Sequence, residues 1–149
     1  MGDRRMANEQ DINDRGEFRM TRQRRLILQE VQASRAHPSA DEVYRLVRRK
    51  MPRISLGTVY RNLDVLSQCG LIRRLEMSEG QRRFDGTMAS HYHVRCTTCE
   101  RVGDVWLDPP SELHQAEGGA GGYQISGHRL EFFGLCPICR DGKAPRGKG

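Results

Sequence analysis

The residues whose types and spacing carry the most chemistry are cysteines and histidines. Cys96 and Cys99 form one C-x-x-C pair, and Cys136 and Cys139 form another after an interval of 36 residues. Four thiolates presented by two turns suit a tetrahedral zinc ion. The interval exceeds the usual spacing of a compact zinc ribbon, so the ion would staple a whole small domain. The first pair ends the stretch H-Y-H-V-R-C-T-T-C-E, His91 to Glu100. Read as a strand running into a turn, its period of two sets His91 and His93 on one face and Tyr92, Val94 and Cys96 on the other. One segment can then serve two sites. A second strand is expected in R-V-G-D-V-W-L, with Val102, Asp104 and Trp106 on one face. A carboxylate between large apolar neighbours is costly unless it lies at an exposed edge or meets a positive partner. The fifth cysteine, Cys69, reads as a buried or incidental thiol.

Charge divides the chain that must position these groups. Residues 1–85 carry 18 Lys+Arg against 12 Asp+Glu, whereas residues 86–149 carry 7 against 7. The basic half is the candidate for nucleic acid. A length of 149 residues allows one ordinary domain or two small ones, each with a modest core that profits from a metal or a partner chain. No apolar run approaches the length of a membrane span, and the polar N-terminus lacks the apolar core of a secretory signal. The expectation is a cytoplasmic protein, in which paired cysteines favour metal over disulfides.

Residues 1–17 read as an arm or a frayed helix, and residues 141–149 as a disordered tail. From Thr21, an N-cap, Leu26, Ile27 and Val31 recur at helical spacing among Arg22, Arg24 and Arg25,. Ser39 and Glu42 form a capping box for a helix that ends at Met51-Pro52,. His37 sits on the connection before it, where a lone histidine is ordinarily just solvated. A third helix begins at Ser55, buries Val59, Leu63 and Leu66, and closes at Gly70,. Its early turns carry Thr58, Tyr60, Arg61 and Asn62, which suits the second helix of a helix-turn-helix lying in the major groove. An arginine-rich hairpin follows, with Arg73 and Arg74 on one strand and Arg82 and Arg83 on the other,. Helix-turn-helix plus basic hairpin is a winged helix, and these arginines could reach phosphates or the minor groove. Residues 86–90 read as a linker, and Tyr123 to Leu135 as a further strand or bent pair.

The series T-x-Q-R, H-x-S-A-D-E-V-Y, S-L-x-T-V-Y-R-N-L, R-F-D, H-Y-H-x-x-C-x-x-C and H-R-L-E-F-F-G-x-C-x-x-C, spread over residues 17–140, resembles the ferric uptake regulator family of bacterial metal-dependent transcription factors. The resemblance implies an α+β chain with two domains. A winged-helix DNA-binding domain over residues 1–85 would precede a hinge at 86–90 and a small α/β dimerisation domain over 91–140. It also implies a homodimer that binds palindromic double-stranded operator DNA when metal-loaded, usually as a repressor and not an enzyme. Zn(II) on Cys96, Cys99, Cys136 and Cys139 would be structural. His37, Asp85, His91, His93 and Asp104 would form the regulatory site, a mixed N/O set suited to Fe(II) or Mn(II) with Zn(II) not excluded. The expected DNA contacts are Arg19, Arg24, Ser55, Thr58, Tyr60, Arg61 and Asn62. A metal shared by both domains would select the hinge geometry that sets two recognition helices about 34 Å apart, and DNA would tighten metal binding by the same factor.

The aspartates at 85 and 104 and the short H-Y-H run are more similar to the peroxide-sensing branch of that family than to its iron-responsive one. In that branch Fe(II) reacts with hydrogen peroxide and a ligand histidine gains an oxygen, here His37 or His91, releasing metal and DNA. An iron- or zinc-responsive uptake repressor is the alternative. A non-haem iron enzyme fits less well, since the site would have five protein ligands and no cosubstrate motif is evident. A zinc-stapled interaction module would make the basic first half and the recognition-helix motif a coincidence.

Overall fold

Thr21 opens the first helix of the computed structural model, which describes residues 18–77, 80–119 and 121–143. The expected arm at 1–17 and most of the expected tail lie outside the described residues. The chain divides into two units, one ending at Met88 and the other beginning at Ala89.

In the first unit, the Thr21 hydroxyl accepts the Arg24 N–H at 3.2 Å and starts α1, Arg22–Ala33. α2, Ala40–Lys50, carries the full capping box: the Glu42 N–H donates to Ser39 Oγ and the Ser39 N–H to Glu42 Oε2. Asp41 and Glu42 in its first turn and Arg48, Arg49 and Lys50 in its last complement the helix dipole. α3, Leu56–Gln68, is capped by Ser55. It ends with Gly70 at φ +72°, while Leu71 N–H bonds to Leu66 O and Gly70 N–H to Ser67 O. That is the doubled bond of a Schellman stop, which needs a left-handed residue that glycine adopts without strain. Ile27 and Val31 from α1, Val43 and Val47 from α2, and Val59, Leu63 and Leu66 from α3 form one buried core with Ile72 and Phe84.

Strands β1, Arg73–Leu75, and β2, Arg83–Asp85, pair antiparallel with Arg74 opposite Phe84. Three helices and this hairpin make the winged helix. The wing is fastened to α2: Ser39 and Arg83 form a β-bridge, and the Phe84 N–H donates to Pro38 O at 3.0 Å. Beyond β2 the chain runs against α1, where a Cβ on Gly86 would stand 2.7 Å from Gln32 Cα. Arg73 Nη2 donates to Met88 O at 2.6 Å, so the segment read as the start of a linker is tied down at both points.

The second unit holds a three-stranded sheet in the order β4-β3-β5. β3, Tyr92–Cys96, runs antiparallel to β4, Val102–Val105, and parallel to β5, Glu131–Gly134. The parallel pair needs a long crossover, which passes through a 3-10 turn at Ser111–Gln115 and the one-turn α4, Ala116–Gly119. α5, Pro137–Arg140, follows. Only Glu131–Gly134 of the segment expected to be a strand or bent pair is a strand. Tyr123 is 81% exposed, because Gly121, Gly122 and Gly127 break the stretch and it gains no pairing partner. No described helix is long and apolar enough to cross a membrane.

Candidate metal centres

The register that sets Cys96 opposite Gly134 carries the two C-x-x-C turns together at one end of the sheet. Thr97 tightens this closure, its N–H and hydroxyl both donating to Gly134 O, at 2.8 and 3.2 Å. The four sulfurs of Cys96, Cys99, Cys136 and Cys139 lie within 4.8 Å of one another, and Cys99 Sγ is 3.7 Å from Cys136 Sγ. A tetrahedral ion with zinc–sulfur bonds of about 2.3 Å spaces its sulfurs about 3.8 Å apart, so the cluster fits that group. Backbone amides prepare it for negative charge: the Cys136 N–H points at Cys96 Sγ and the Cys139 N–H at Cys136 Sγ, each at 3.4 Å. Burial pushes the Cys96 thiol up, but the amides of Cys136, Cys99 and Thr98 outweigh it and bring the thiol down to about 6. Cys139 is pushed up to about 12 by burial and by its neighbouring thiols. Backbone amides lower the Cys136 thiol as well, so negative charge is favoured on the sulfurs that accept them.

Two further ligand groups lie one in each unit. In the first, His37 Nδ1 stands 3.5 Å from Asp85 Oδ1 and both side chains are buried. Asp85 Oδ1 also accepts the Thr87 N–H at 2.7 Å. His37 takes φ +46°, a left-handed conformation that costs a non-glycine residue about 1–2 kcal/mol. Its neighbours hold it there. Arg83 Nη1 donates to His37 O and to Glu42 Oε2, both at 3.1 Å, so the carboxylate that caps α2 also ties the His37 loop to the wing. The sequence shows the capping box but not this second use of Glu42.

In the second unit, the cross-strand pairing of His93 with Asp104 brings a carboxylate beneath two imidazoles. Asp104 Oδ1 lies 3.0 Å from His91 Nε2 and 3.8 Å from His93 Nε2. His91 Nδ1 is 2.7 Å from Ala89 O. A carbonyl oxygen can only accept, so Nδ1 donates to it and Nε2 is the atom left to coordinate a metal. Two imidazoles and a carboxylate converging on one point are the donors that divalent iron, manganese and zinc use. The Trp106 ring, two residues beyond Asp104, stacks on His91 at 4.6 Å between centroids and 26° between planes.

The expected DNA contacts separate into two groups. Ser55, Tyr60, Arg61 and Arg19 are exposed and Thr58 is half-buried. Thr58 Oγ1 lies 2.8 Å from Ser55 Oγ, and Tyr60 OH meets Asp41 at 3.4 Å. Arg24 and Asn62, in contrast, are 3% and 4% exposed. Arg24 Nε donates to Asn62 Oδ1 at 3.2 Å and Nη1 to Arg19 O at 2.6 Å, with Phe18 against the guanidinium, and Asn62 Nδ2 donates to Thr58 O at 3.0 Å. These two side chains are spent inside the fold, joining α1 to α3, and do not belong at a DNA surface. Of the four hairpin arginines, Arg74 pairs with Asp64, Arg73 with a backbone carbonyl and Arg83 with Glu42, while Arg82 is exposed.

Comparison with known proteins gives one consistent result. The model of the ferric uptake regulator family matches residues 15–133. The peroxide operon regulator of Bacillus subtilis is 37% identical over 121 residues, which cover 81% of this chain and 83% of that protein. Two solved structures are similar. The Helicobacter pylori ferric uptake regulator, described with three functional metal binding sites, superposes with a TM-score of 0.68 at 26% identity over 83% of each chain. The Campylobacter jejuni peroxide stress regulator gives 0.62 at 27% identity over 78% of this chain and 88% of that one.

Proposed function

The chain belongs to the ferric uptake regulator family, and on that premise we propose that it is a metal-dependent DNA-binding repressor that senses peroxide. It works as a cytoplasmic homodimer, with Ser55, Thr58, Tyr60 and Arg61 of α3 and the exposed Arg82 of the wing meeting double-stranded operator DNA. Zn(II) on the four cysteines holds the second unit together. His37 and Asp85 with His91, His93 and Asp104 hold one regulatory ion, Fe(II) or Mn(II), and residues 86–90 act as the hinge it sets.

The observation that carries this reading is the convergence of His91 Nε2 and His93 Nε2 on Asp104 Oδ1, apart from a four-cysteine cluster whose spacing suits a structural ion. The likeness to a peroxide operon regulator supports the peroxide branch. Bound ferrous iron supplies one-electron reduction of hydrogen peroxide next to oxidisable imidazoles. The chain's own residues do the rest: the Ala89 carbonyl fixes the His91 tautomer, the sheet register sets Asp104 opposite His93, and Arg83 with Glu42 holds the His37 loop.

Manganese titration of the zinc-loaded protein tests the regulatory site. Trp106 is the chain's single tryptophan and stacks on His91, so its fluorescence falls as the paramagnetic ion enters. Asp104→Ala removes the carboxylate under both imidazoles and weakens binding by at least the roughly 10- to 100-fold that loss of a mere outer-shell partner costs, with zinc content unchanged. Equal affinity in the variant contradicts the assignment.

A further inference from the structure

We infer that Trp106 is a second oxidation site that shares the peroxide-derived oxidant with the ligand histidines. This rests on the peroxide-sensing reading above, and extends it to a residue outside the ligand set. The observation is the stack itself: the indole lies 4.6 Å from the His91 ring, nearly parallel to it, and is 61% exposed. An oxidant released beside His91 Nε2 that escapes the imidazole meets the indole stacked on it, 4.6 Å away between ring centroids, and the indole is the more electron-rich ring. The placement follows from the sheet, since Asp104 and Trp106 stand two residues apart on β4 and its extension, so the carboxylate and the indole flank His91 together.

Hydrogen peroxide takes one electron from ferrous iron, and its O–O bond breaks to hydroxide and a hydroxyl radical. The radical adds to a ring carbon of Trp106. The adduct returns one electron to the ferric ion and loses one proton, which hydroxide takes up. One peroxide and one indole thus yield hydroxylated tryptophan and one water. Each turnover spent on Trp106 leaves the histidines intact and the protein on DNA, so the indole raises the peroxide dose needed for release.

Peptide mass analysis of the full zinc-loaded protein, with Fe(II) and with Mn(II), before and after a limited peroxide dose, tests this. Trypsin places His91 and His93 on Phe84–Arg95, His37 on Ala36–Arg45, and Trp106 with Tyr123 on Val102–Arg129; fragment ions assign the oxygen. Tyr123 is more exposed than Trp106, at 81%, and reports indiscriminate oxidation in the same peptide. The expected result is a gain of one oxygen on Trp106 well above that on Tyr123, in the iron form alone, and a larger oxidised fraction of His91 in Trp106→Leu at equal dose. Histidine oxidation with Trp106 no more modified than Tyr123, or an unchanged His91 fraction in Trp106→Leu, overturns the inference and leaves peroxide sensing standing. No oxygen on any of these residues overturns both.

Discussion

Asn62 sits on the helix assigned to DNA, yet its side chain faces inward, and replacing it separates a structural role from a recognition role. In Asn62→Ala the Arg24 guanidinium loses the acceptor 3.2 Å from Nε while remaining 3% exposed, and Thr58 O loses the donor at 3.0 Å. Hydrogen bonds to charged groups contribute about 1.5–3 kcal/mol, and the Thr58 carbonyl can still bond along the helix. The expected loss is therefore about 2–3 kcal/mol. Burial already lowers the Arg24 pKa, so the guanidinium is costly to hold there and depends on its acceptors. With a urea slope of about 1–2 kcal/mol per molar for a unit this small, the midpoint falls by roughly 1–3 M. The assay is urea unfolding followed by far-UV circular dichroism, which α1, α2 and α3 dominate. DNA affinity of the folded fraction, corrected for the unfolded population, drops less than in Arg61→Ala. A stability unchanged within about 0.5 kcal/mol, together with a DNA defect as large as that of Arg61→Ala, would refute the reasoning and return Asn62 to the DNA surface.

Other consequences can be checked on the same material. Gly86→Ala places a Cβ 2.7 Å from Gln32 Cα, a backbone contact that cannot yield cheaply, and should cost about 1–3 kcal/mol in the same urea assay; an unchanged midpoint would contradict the close approach. Cys136→Ser should lose the structural zinc, measured as metal content after gel filtration, and lower the thermal midpoint reported by Trp106. After zinc is stripped, the native second unit, with Cys96 at about 6, binds fewer protons than the unfolded chain up to the ordinary thiol value of about 8.5. Its remaining stability should then rise with pH across that window and be lost as pH falls through about 6. A flat or falling profile contradicts the stabilisation of thiolate by the backbone amides at Cys96 and Cys136.

Local rules carried much of this fold. The caps at Thr21, Ser39 and Ser55, the Glu42 return bond and the Gly70 stop each depend on residues within five positions of one another, and each is readable in the chain. The two C-x-x-C pairs were legible for the same reason. What the sequence hides is long-range. Arg24 and Asn62 carry polar side chains that pattern alone sends outward, and only the packing of α1 on α3 pairs them inside. The parallel pairing of β5 with β3 spans a crossover that no local signal encodes, so the apolar pattern extends the strand back to Tyr123, which does not join it. His37 has no local reason to be a ligand; the Ser39–Arg83 bridge and the Pro38–Phe84 bond bring it to Asp85. Trp106 reads as half of an apolar strand face until Asp104 and His91 are placed beside it.

The most direct test of the central claim compares DNA binding by the Fe(II)-loaded and Mn(II)-loaded protein before and after a low dose of peroxide. The probe is a duplex selected from a random pool by the Mn(II) form. The account predicts that only the iron form loses the DNA, with one oxygen gained on the peptide holding His37 or His91 in the same samples. Binding that follows iron level but survives peroxide with unmodified histidines would contradict peroxide sensing and leave an iron-responsive repressor.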